Sequence, residues 1–231
     1  MMRRLAALLA APAILAGCAS PPANYYTLLA PAAGQAASAG GDGGAGPAAG
    51  GGQGARAGAG QGARPEAGPA ALAVQVLPIA VPAELDLPQI VVRSGQGRVV
   101  PLNGERWAGP LGDQVRAALA DGLAGALGVP VTQAAMPAGG AALWRVQVEV
   151  RRFDSEPGAQ ARLEAVWRAA PAQGGSAAAD AAPLCEARYV QAVGPGIPDL
   201  VEGHQRNLAR LSQVIASAIG AAAQAGGVQC P

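Results

Sequence analysis

The chain has 231 residues, a formal net charge of +1, and only 13% charged and 3% aromatic residues. This length is enough for one domain of ordinary size. The near-neutral balance excludes the basic surface that nucleic-acid-binding proteins present to phosphates.

The N-terminus has the layout of a secretory signal peptide. A basic start that contains Arg3 and Arg4 precedes an apolar stretch from Leu5 to Leu15. This stretch contains Pro12 and is shorter than the roughly 20 residues that a membrane-spanning helix requires. We therefore expect residues 1–17 to be a removed signal rather than a transmembrane anchor.

The signal ends in Leu15-Ala16-Gly17-Cys18, which resembles the lipobox of bacterial lipoproteins. The resemblance implies that Cys18 is acylated, for example with palmitate, and becomes the first residue of the mature chain. Several acyl chains on one cysteine bind a bilayer firmly. Ala19 follows, where an Asp would favour retention in the inner membrane, so the implied location is the periplasmic face of the outer membrane. No cofactor is expected besides this covalent lipid.

A short tether, residues 18–24, leads into a β-rich segment that ends at Leu29. Residues 31–70 contain no Val, Ile, Leu or aromatic residue, which is typical of flexible coil. This insert is either a long tether or an unstructured loop. Because the β-rich segment precedes it, we interpret it as a loop and assign the folded domain to residues 25–30 and 71–231.

The first half of the domain is predicted to contain two strands, a hairpin and a helix. The helix begins after Pro110 and ends near Gly128, and Leu111, Val115, Leu119 and Leu123 recur at helical spacing as one apolar stripe. It contains Gly112, Gly122 and Gly125, which we expect to let it lie close against a sheet. The predicted strands are Asn24–Leu29 and Ala71–Leu77, and the hairpin joins Gln89–Arg93 to Arg98–Leu102 across a glycine-bearing loop.

The second half is predicted to contain a longer hairpin, a further strand and a final helix. We place Asp154 and Glu156 in a solvated turn, residues 169–183 in a loop, and Asp199 at the N-cap of the final helix. The predicted strands are Leu143–Val150, Gln160–Arg168 and Leu184–Val193. In the first of them, the alternating Val146, Val148 and Val150 share one face. The fold class is therefore α+β, with a mostly antiparallel sheet of about six strands and two main helices packed on one face.

Two cysteines, Cys185 and Cys230, remain once Cys18 carries lipid. In an oxidising compartment they are expected to form a disulfide. Closure of a loop of about 45 residues would stabilise the fold by roughly 4 kcal/mol. The alternatives are two buried free thiols or a metal pair, and the absence of ligand spacing around the lone His204 argues against a metal site.

The sequence offers no catalytic constellation. A hydrolase needs a nucleophile and a base, yet His204 is the only histidine and no Gly-x-Ser-x-Gly motif is present. His204 lies on the apolar stripe of the final helix, so we interpret it as a partly buried structural residue. The prediction is that the protein is not an enzyme and has neither catalytic residues nor a metal site.

Four motifs together resemble the auxiliary lipoproteins of ABC-type transport systems, of the paraquat-inducible protein C type. The resemblance covers about residues 18–30 and 71–220, whereas the 31–70 insert departs from the family. The motifs are Tyr25-Tyr26-Thr27-Leu28, residues 84–93 (ELDLPQIVVR), residues 105–111 (ERWAGPL) and residues 146–154 (VQVEVRRFD).

The resemblance implies a non-catalytic outer-membrane subunit that works with a mammalian-cell-entry (MCE) protein bridging the periplasm. Such systems are implicated in phospholipid movement between membranes and in envelope integrity, and homo-oligomeric rings are an expected form of the lipoprotein. The alternative is a stand-alone envelope lipoprotein that binds cell wall or outer-membrane proteins.

Three residues are candidates for contact with the partner. Trp107, Arg106 and Arg93 belong to residue types that are enriched at the energetic centres of interfaces. The alternative for Trp107 is that the indole packs over the start of the helix at Pro110.

Overall fold

The computed structural model describes residues 22–31, 72–95, 97–132 and 141–230. The predicted signal peptide, Cys18, and all of the 31–70 insert after residue 31 lie outside these residues. The structural statements below concern the described ranges.

The described residues form seven strands and three α-helices. The strands are β1 (Asn24–Tyr26), β2 (Leu72–Val76), β3 (Gln89–Ser94), β4 (Arg98–Trp107), β5 (Ala142–Glu156), β6 (Gln160–Pro171) and β7 (Cys185–Ala192). The helices are α1 (Leu111–Leu127), α2 (Gly175–Ala181) and α3 (Ile197–Ala225).

The strands form two mixed sheets, with the orders β1-β4-β3 and β2-β5-β6-β7. β1 runs parallel to β4 and β2 parallel to β5, while the other neighbours are antiparallel. The α+β class and both hairpins are confirmed, but the prediction of one mostly antiparallel sheet is wrong. Hairpin partners are close in sequence and separated by turn residues, whereas parallel partners are distant and leave no local signal.

The hairpin of β5 and β6 supplies the centre of the larger sheet. Val146, Val148 and Val150 are buried on one face of β5. A register shift between Val150 and Arg152 then changes the alternation by one residue, so that Phe153 continues the buried face. Because β5 runs on to Glu156, Asp154 lies inside a strand and is only 5% exposed. The prediction that Asp154 is a solvated turn residue is therefore wrong.

α1 packs against α3. The predicted apolar stripe of α1 is confirmed, since Leu111, Val115, Leu119 and Leu123 are all buried. A Cβ added at Gly122 would lie 2.5 Å from Ser212 Oγ of α3. This glycine therefore permits close approach to a helix, not to a sheet as predicted.

α3 begins earlier than expected. Its N-cap is Gly196, and Asp199, predicted to be the cap, is the third helical residue, whose carboxylate accepts a hydrogen bond from the Gly196 N–H at 3.3 Å. The segment predicted as a loop, residues 169–183, contains the end of β6 and the short helix α2. The first error shifts a helix start by three residues. The second misses a short helix, because its run of alanine and glycine carries little periodic signal.

Candidate functional site

The N-terminal strand is fixed to the domain by backbone and side-chain contacts. Its residues pair in parallel with the end of β4. Leu28, two residues after the strand, lies in the core and is 1% exposed. Two glutamines hold the backbone that follows. The Leu28 N–H and the Thr27 hydroxyl donate to Gln114 Oε1 at 3.2 and 3.0 Å. Gln205 Nε2 donates to the carbonyls of Thr27 and Leu29 at 3.0 and 3.1 Å.

These two glutamines were not singled out from the sequence, because an isolated glutamine on a helix carries no recognisable motif. Gln114 lies in the first turn of α1 and Gln205 in the third turn of α3. Each offers the amide group that an extended backbone needs to satisfy its polar atoms. The start of the domain is therefore docked onto both long helices as well as onto β4.

Tyr26 and Glu105 form a further contact between β1 and β4. Asn24 Nδ2 donates to Glu105 Oε1 at 3.0 Å. A hydrogen bond with Glu105 raises the pKa of Tyr26 to about 12, with burial and the negative charge of Glu105 acting in the same direction. The phenol therefore stays neutral and can keep donating at physiological pH.

Arg93, one of the three predicted contact residues, forms an ion pair. Its Nε donates to Asp154 Oδ1 at 2.5 Å, and the two side chains are 35% and 6% exposed. The hydrogen bond with Asp154, followed by its negative charge, raises the pKa of Arg93. Arg152 lies 3.4 Å from the other oxygen of Asp154. Since an unpaired buried carboxylate would be costly, the two arginines are what allow Asp154 to be buried.

The other two predicted contact residues differ in burial. Trp107 is 5% exposed and meets Phe153 edge to face, with ring centroids 6.2 Å apart. The indole is therefore part of the core. This agrees with the alternative that Trp107 packs within the domain, although the aromatic ring that it contacts is that of Phe153. Arg106 is half-buried, and its Nε has no hydrogen-bond partner among the described residues. Of the three, Arg93 and Arg106 retain exposed surface.

His204 forms a sealed polar pair with Ser155. Its Nε2 lies 2.9 Å from Ser155 Oγ, and its ring stacks on Phe153 with centroids 3.7 Å apart. His204 is 0% and Ser155 2% exposed, so His204 is fully rather than partly buried. Burial lowers the pKa of His204 from 6.5 to about 3. The imidazole is therefore neutral near pH 7.

This pair contains the residue types of a serine hydrolase without their geometry. A nucleophile must reach its substrate, and its histidine is normally oriented by a third group. Here both side chains are covered, and His204 Nδ1 has no hydrogen-bond partner among the described residues. Sequence reasoning missed Ser155 as the partner because it placed that residue in a turn. The arrangement serves packing, with Asn207 on the next turn donating to the Ala161 carbonyl at 3.0 Å.

Cys185 and Cys230 form a disulfide, with Cα atoms 5.2 Å apart. Cys185 is the first residue of β7 and is buried, whereas Cys230 is exposed. The bond therefore ties the tail that follows α3 to the edge of the larger sheet.

The described residues contain no group of three or more His, Cys, Asp or Glu side chains placed to bind a metal ion. No helix in the described ranges is long and apolar enough to cross a membrane.

The solved structures similar to this chain include an uncharacterised protein, with a TM-score of 0.51 at 23% identity, covering 64% of this chain and 92% of its own. A protein from Xanthomonas campestris has a TM-score of 0.49 at 16% identity, covering 68% and 88%. A PelC dodecamer from Paraburkholderia phytofirmans has a TM-score of 0.37 at 10% identity, covering 64% and 91%. The likeness to the uncharacterised protein is one of fold.

No curated protein was found to match the chain. The family model for the ABC-type transport auxiliary lipoprotein component matches residues 57–216, more than half of the chain. This match covers both hairpins, α1, β7 and most of α3. It includes three of the four motifs that suggested the resemblance, and the fourth, at residues 25–28, precedes it. The chain belongs to the family of ABC-type transport auxiliary lipoprotein components.

Proposed function

We propose that this protein is an outer-membrane lipoprotein and a non-catalytic accessory subunit of an MCE/ABC-type system that moves lipid between membranes and supports envelope integrity. Cys18 carries the lipid, and the domain faces the periplasm. Family membership supports the association with an ABC transport system. The lipobox-like residues 15–18 support the lipid anchor.

The observation that carries the proposal is the docking of β1 so soon after Cys18. Residues 19–24 are the whole connection between the lipid and the sheet, because Asn24 already pairs with Glu105. At about 3.3–3.6 Å per residue, such a tether spans at most about 20 Å. The domain is therefore held next to the bilayer, where a periplasm-spanning protein ends.

The burial of the Ser155–His204 pair supports a non-catalytic role. These are the described side chains that most resemble a nucleophile and its base, and neither reaches the surface. The protein would act by binding and positioning a partner.

Arg93 is the predicted contact residue best suited to test the partner interface. Its guanidinium is about one-third exposed while Asp154 fixes its Nε. Such a preorganised arginine loses little rotamer freedom when it binds a partner.

The test is capture of the MCE-domain protein by the tagged, lipidated full chain from membranes in mild detergent. We expect mass spectrometry to identify an MCE-domain protein and fractionation to place the lipoprotein in the outer membrane. Arg93→Gln should lower capture at least about tenfold, the effect of losing one interface anchor. Arg188→Gln, at a 72% exposed arginine on β7, is the matched control and should change nothing.

Failure of the folded wild-type protein to capture an MCE-domain protein would contradict the transport role. Recovery of cell wall or outer-membrane proteins instead would favour the stand-alone envelope lipoprotein. Equal capture by wild type and Arg93→Gln would retain the transport role and remove Arg93 from the interface.

A further inference from the structure

A cavity of about 480 Å³ lies at the C-terminal end of α3. It is bounded by the start of β5, the end of β6, α2 and the tail that follows α3. Small-molecule sites have volumes of roughly 300–1,000 Å³. The cavity is thus large enough for a ligand.

The side chains that line the cavity are almost all apolar. Trp144 forms one side, the methyl groups of Ala170, Ala178 and Ala222 line others, and Val228 of the tail closes the rim. Among the lining residues, the indole N–H of Trp144 is the only side-chain group able to form a hydrogen bond. The cavity opens to solvent on one side, so an apolar ligand bound in it would remove these side chains from water.

We propose that this cavity holds one acyl chain of a lipid in transit. The lining chemistry selects this occupant. A peptide segment would bring backbone N–H and C=O groups, which need partners when buried, whereas a hydrocarbon chain needs none. The proposal rests on the proposed function in one respect, because that function supplies the lipid.

The cavity lies far from the point where the tether meets the domain. Its occupant is therefore a transported lipid and not the acyl chains that anchor the protein. Gln205, which binds the chain just after the tether, and Ala222, in the cavity wall, are both on α3. The rise of about 1.5 Å per residue separates them by about 25 Å. The cavity thus lies at the opposite end of α3 from the lipid-bearing N-terminus, whose acyl chains are embedded in the bilayer.

The wall formed by α2 and the residue after it carries small side chains. Residues 177–182 are all alanine except Asp180, whose carboxylate pairs with Arg168 outside the cavity. The disulfide from Cys185 to Cys230 fixes the tail that carries Val228. The restrained tail and the small side chains of α2 together leave the space unfilled.

Fluorescence titration of a polyene fatty acid tests the proposal, with Trp144 in the wall as energy donor. The protein is the full mature chain with Cys18→Ala, so that no anchor lipid competes. We expect saturable binding of one fatty acid per chain, displaced by palmitate and by a lysophospholipid, but not by glycerol phosphate.

Two variants locate the site. Ala178→Phe, which projects a ring into the cavity, should weaken binding at least about tenfold. Ala177→Phe, on the exposed neighbouring residue of α2 that does not line the cavity, should change it less than about twofold. Ala182→Leu is a second cavity variant should Ala178→Phe fail to fold, which circular dichroism reports.

Absence of saturable binding by the folded wild type, or equal weakening by the cavity and control variants, would overturn the proposal. Capture of the MCE-domain protein is measured with the same variants. This measurement distinguishes failure of the acyl-chain proposal from failure of the proposed function. Ala178→Phe should capture the partner normally, whereas loss of capture with intact fatty-acid binding would contradict the transport role and leave the acyl site standing.

Discussion

The two ends of α3 are stabilised in different ways. At the N-terminal end, His204 and Asn207 are fully buried and hydrogen-bonded to β5 and β6, and Gln205 holds the first strand of the domain. At the C-terminal end the helix is rich in alanine, an apolar cavity lies beside it, and a disulfide ties down the tail. Hydrogen bonds of buried side chains fix the N-terminal end. At the C-terminal end, a disulfide restrains the tail beside the cavity.

The difference matters because the two ends have different tasks in the proposed function. The end near the tether must have one geometry, and buried polar groups specify a geometry because each mispairing is costly. The other end must admit a ligand, so its small side chains leave space that a restraint has to maintain. The predictions below test this contrast, from the largest expected effect to the smallest.

The disulfide is expected to give the largest effect. Cys230→Ser should lower the free energy of unfolding by roughly 4 kcal/mol, because the unfolded chain regains the entropy of a loop of about 45 residues. Urea unfolding of the mature chain, with and without reductant, measures it. If the variant and the reduced wild type lost less than about 1 kcal/mol, the C-terminal end would have another source of stability.

The second effect is a dependence of stability on pH that originates at the N-terminal end. His204 has a folded pKa of about 3 against 6.5 when unfolded, so between these values only the unfolded state takes up its proton. Stability due to this group is therefore complete above pH 6.5 and falls by about 1.4 kcal/mol per pH unit below it.

Urea unfolding of wild type and His204→Phe between pH 6 and pH 4 isolates this contribution, since carboxylates contribute equally to both. The expected difference between the two proteins in how much the free energy of unfolding falls from pH 6 to pH 4 is about 2.5 kcal/mol. Parallel pH profiles would show that the imidazole is not sealed in the core.

The third effect compares two glycines of α1. Gly122→Ala should destabilise by about 1–3 kcal/mol, since its methyl group would collide with Ser212 of α3. Gly125 has nothing within 4 Å of an added Cβ, so Gly125→Ala should stabilise by up to about 1 kcal/mol through helix propensity. Thermal unfolding of both variants checks the signs, and two effects of the same sign would contradict the close contact between α1 and α3.

The smallest effect is expected at Gln205. Gln205→Ala removes two hydrogen bonds to the backbone after β1, which should cost about 1 kcal/mol. Hydrogen exchange should accelerate at residues 24–29 and stay unchanged in β6. Acceleration at both places would mean that Gln205 stabilises the whole domain instead of the docked strand.

The sequence predicted what is encoded locally and missed what depends on distant partners. The alternating valines of β5, the glycine turn after β3 and the stripe of α1 each lie within one window, and all three were confirmed. The parallel pairing of β1 with β4 has no such signature. The Asp154 carboxylate was placed in solvent because its ion-pair partner, Arg93, lies 61 positions away.

The candidate site was predicted only in part for the same reason. Cysteine counting found the pair Cys185 and Cys230, because an even number in an oxidising compartment is informative by itself. The cavity could not be predicted, since it results from alanines on three separate elements. The burial of Trp107 depends on Phe153, whose side of the strand is set by a bulge.

The central claim is that the short tether holds the β1 end of the domain against the membrane and leaves the other end of α3 away from it. Fluorescent residues at Tyr25, which is 66% exposed, and at Gln224, near the end of α3, can be measured in the lipidated chain on vesicles whose headgroups carry a quencher. We expect strong quenching at position 25 and little at position 224. Equal quenching at the two positions, or stronger quenching at position 224, would contradict the account.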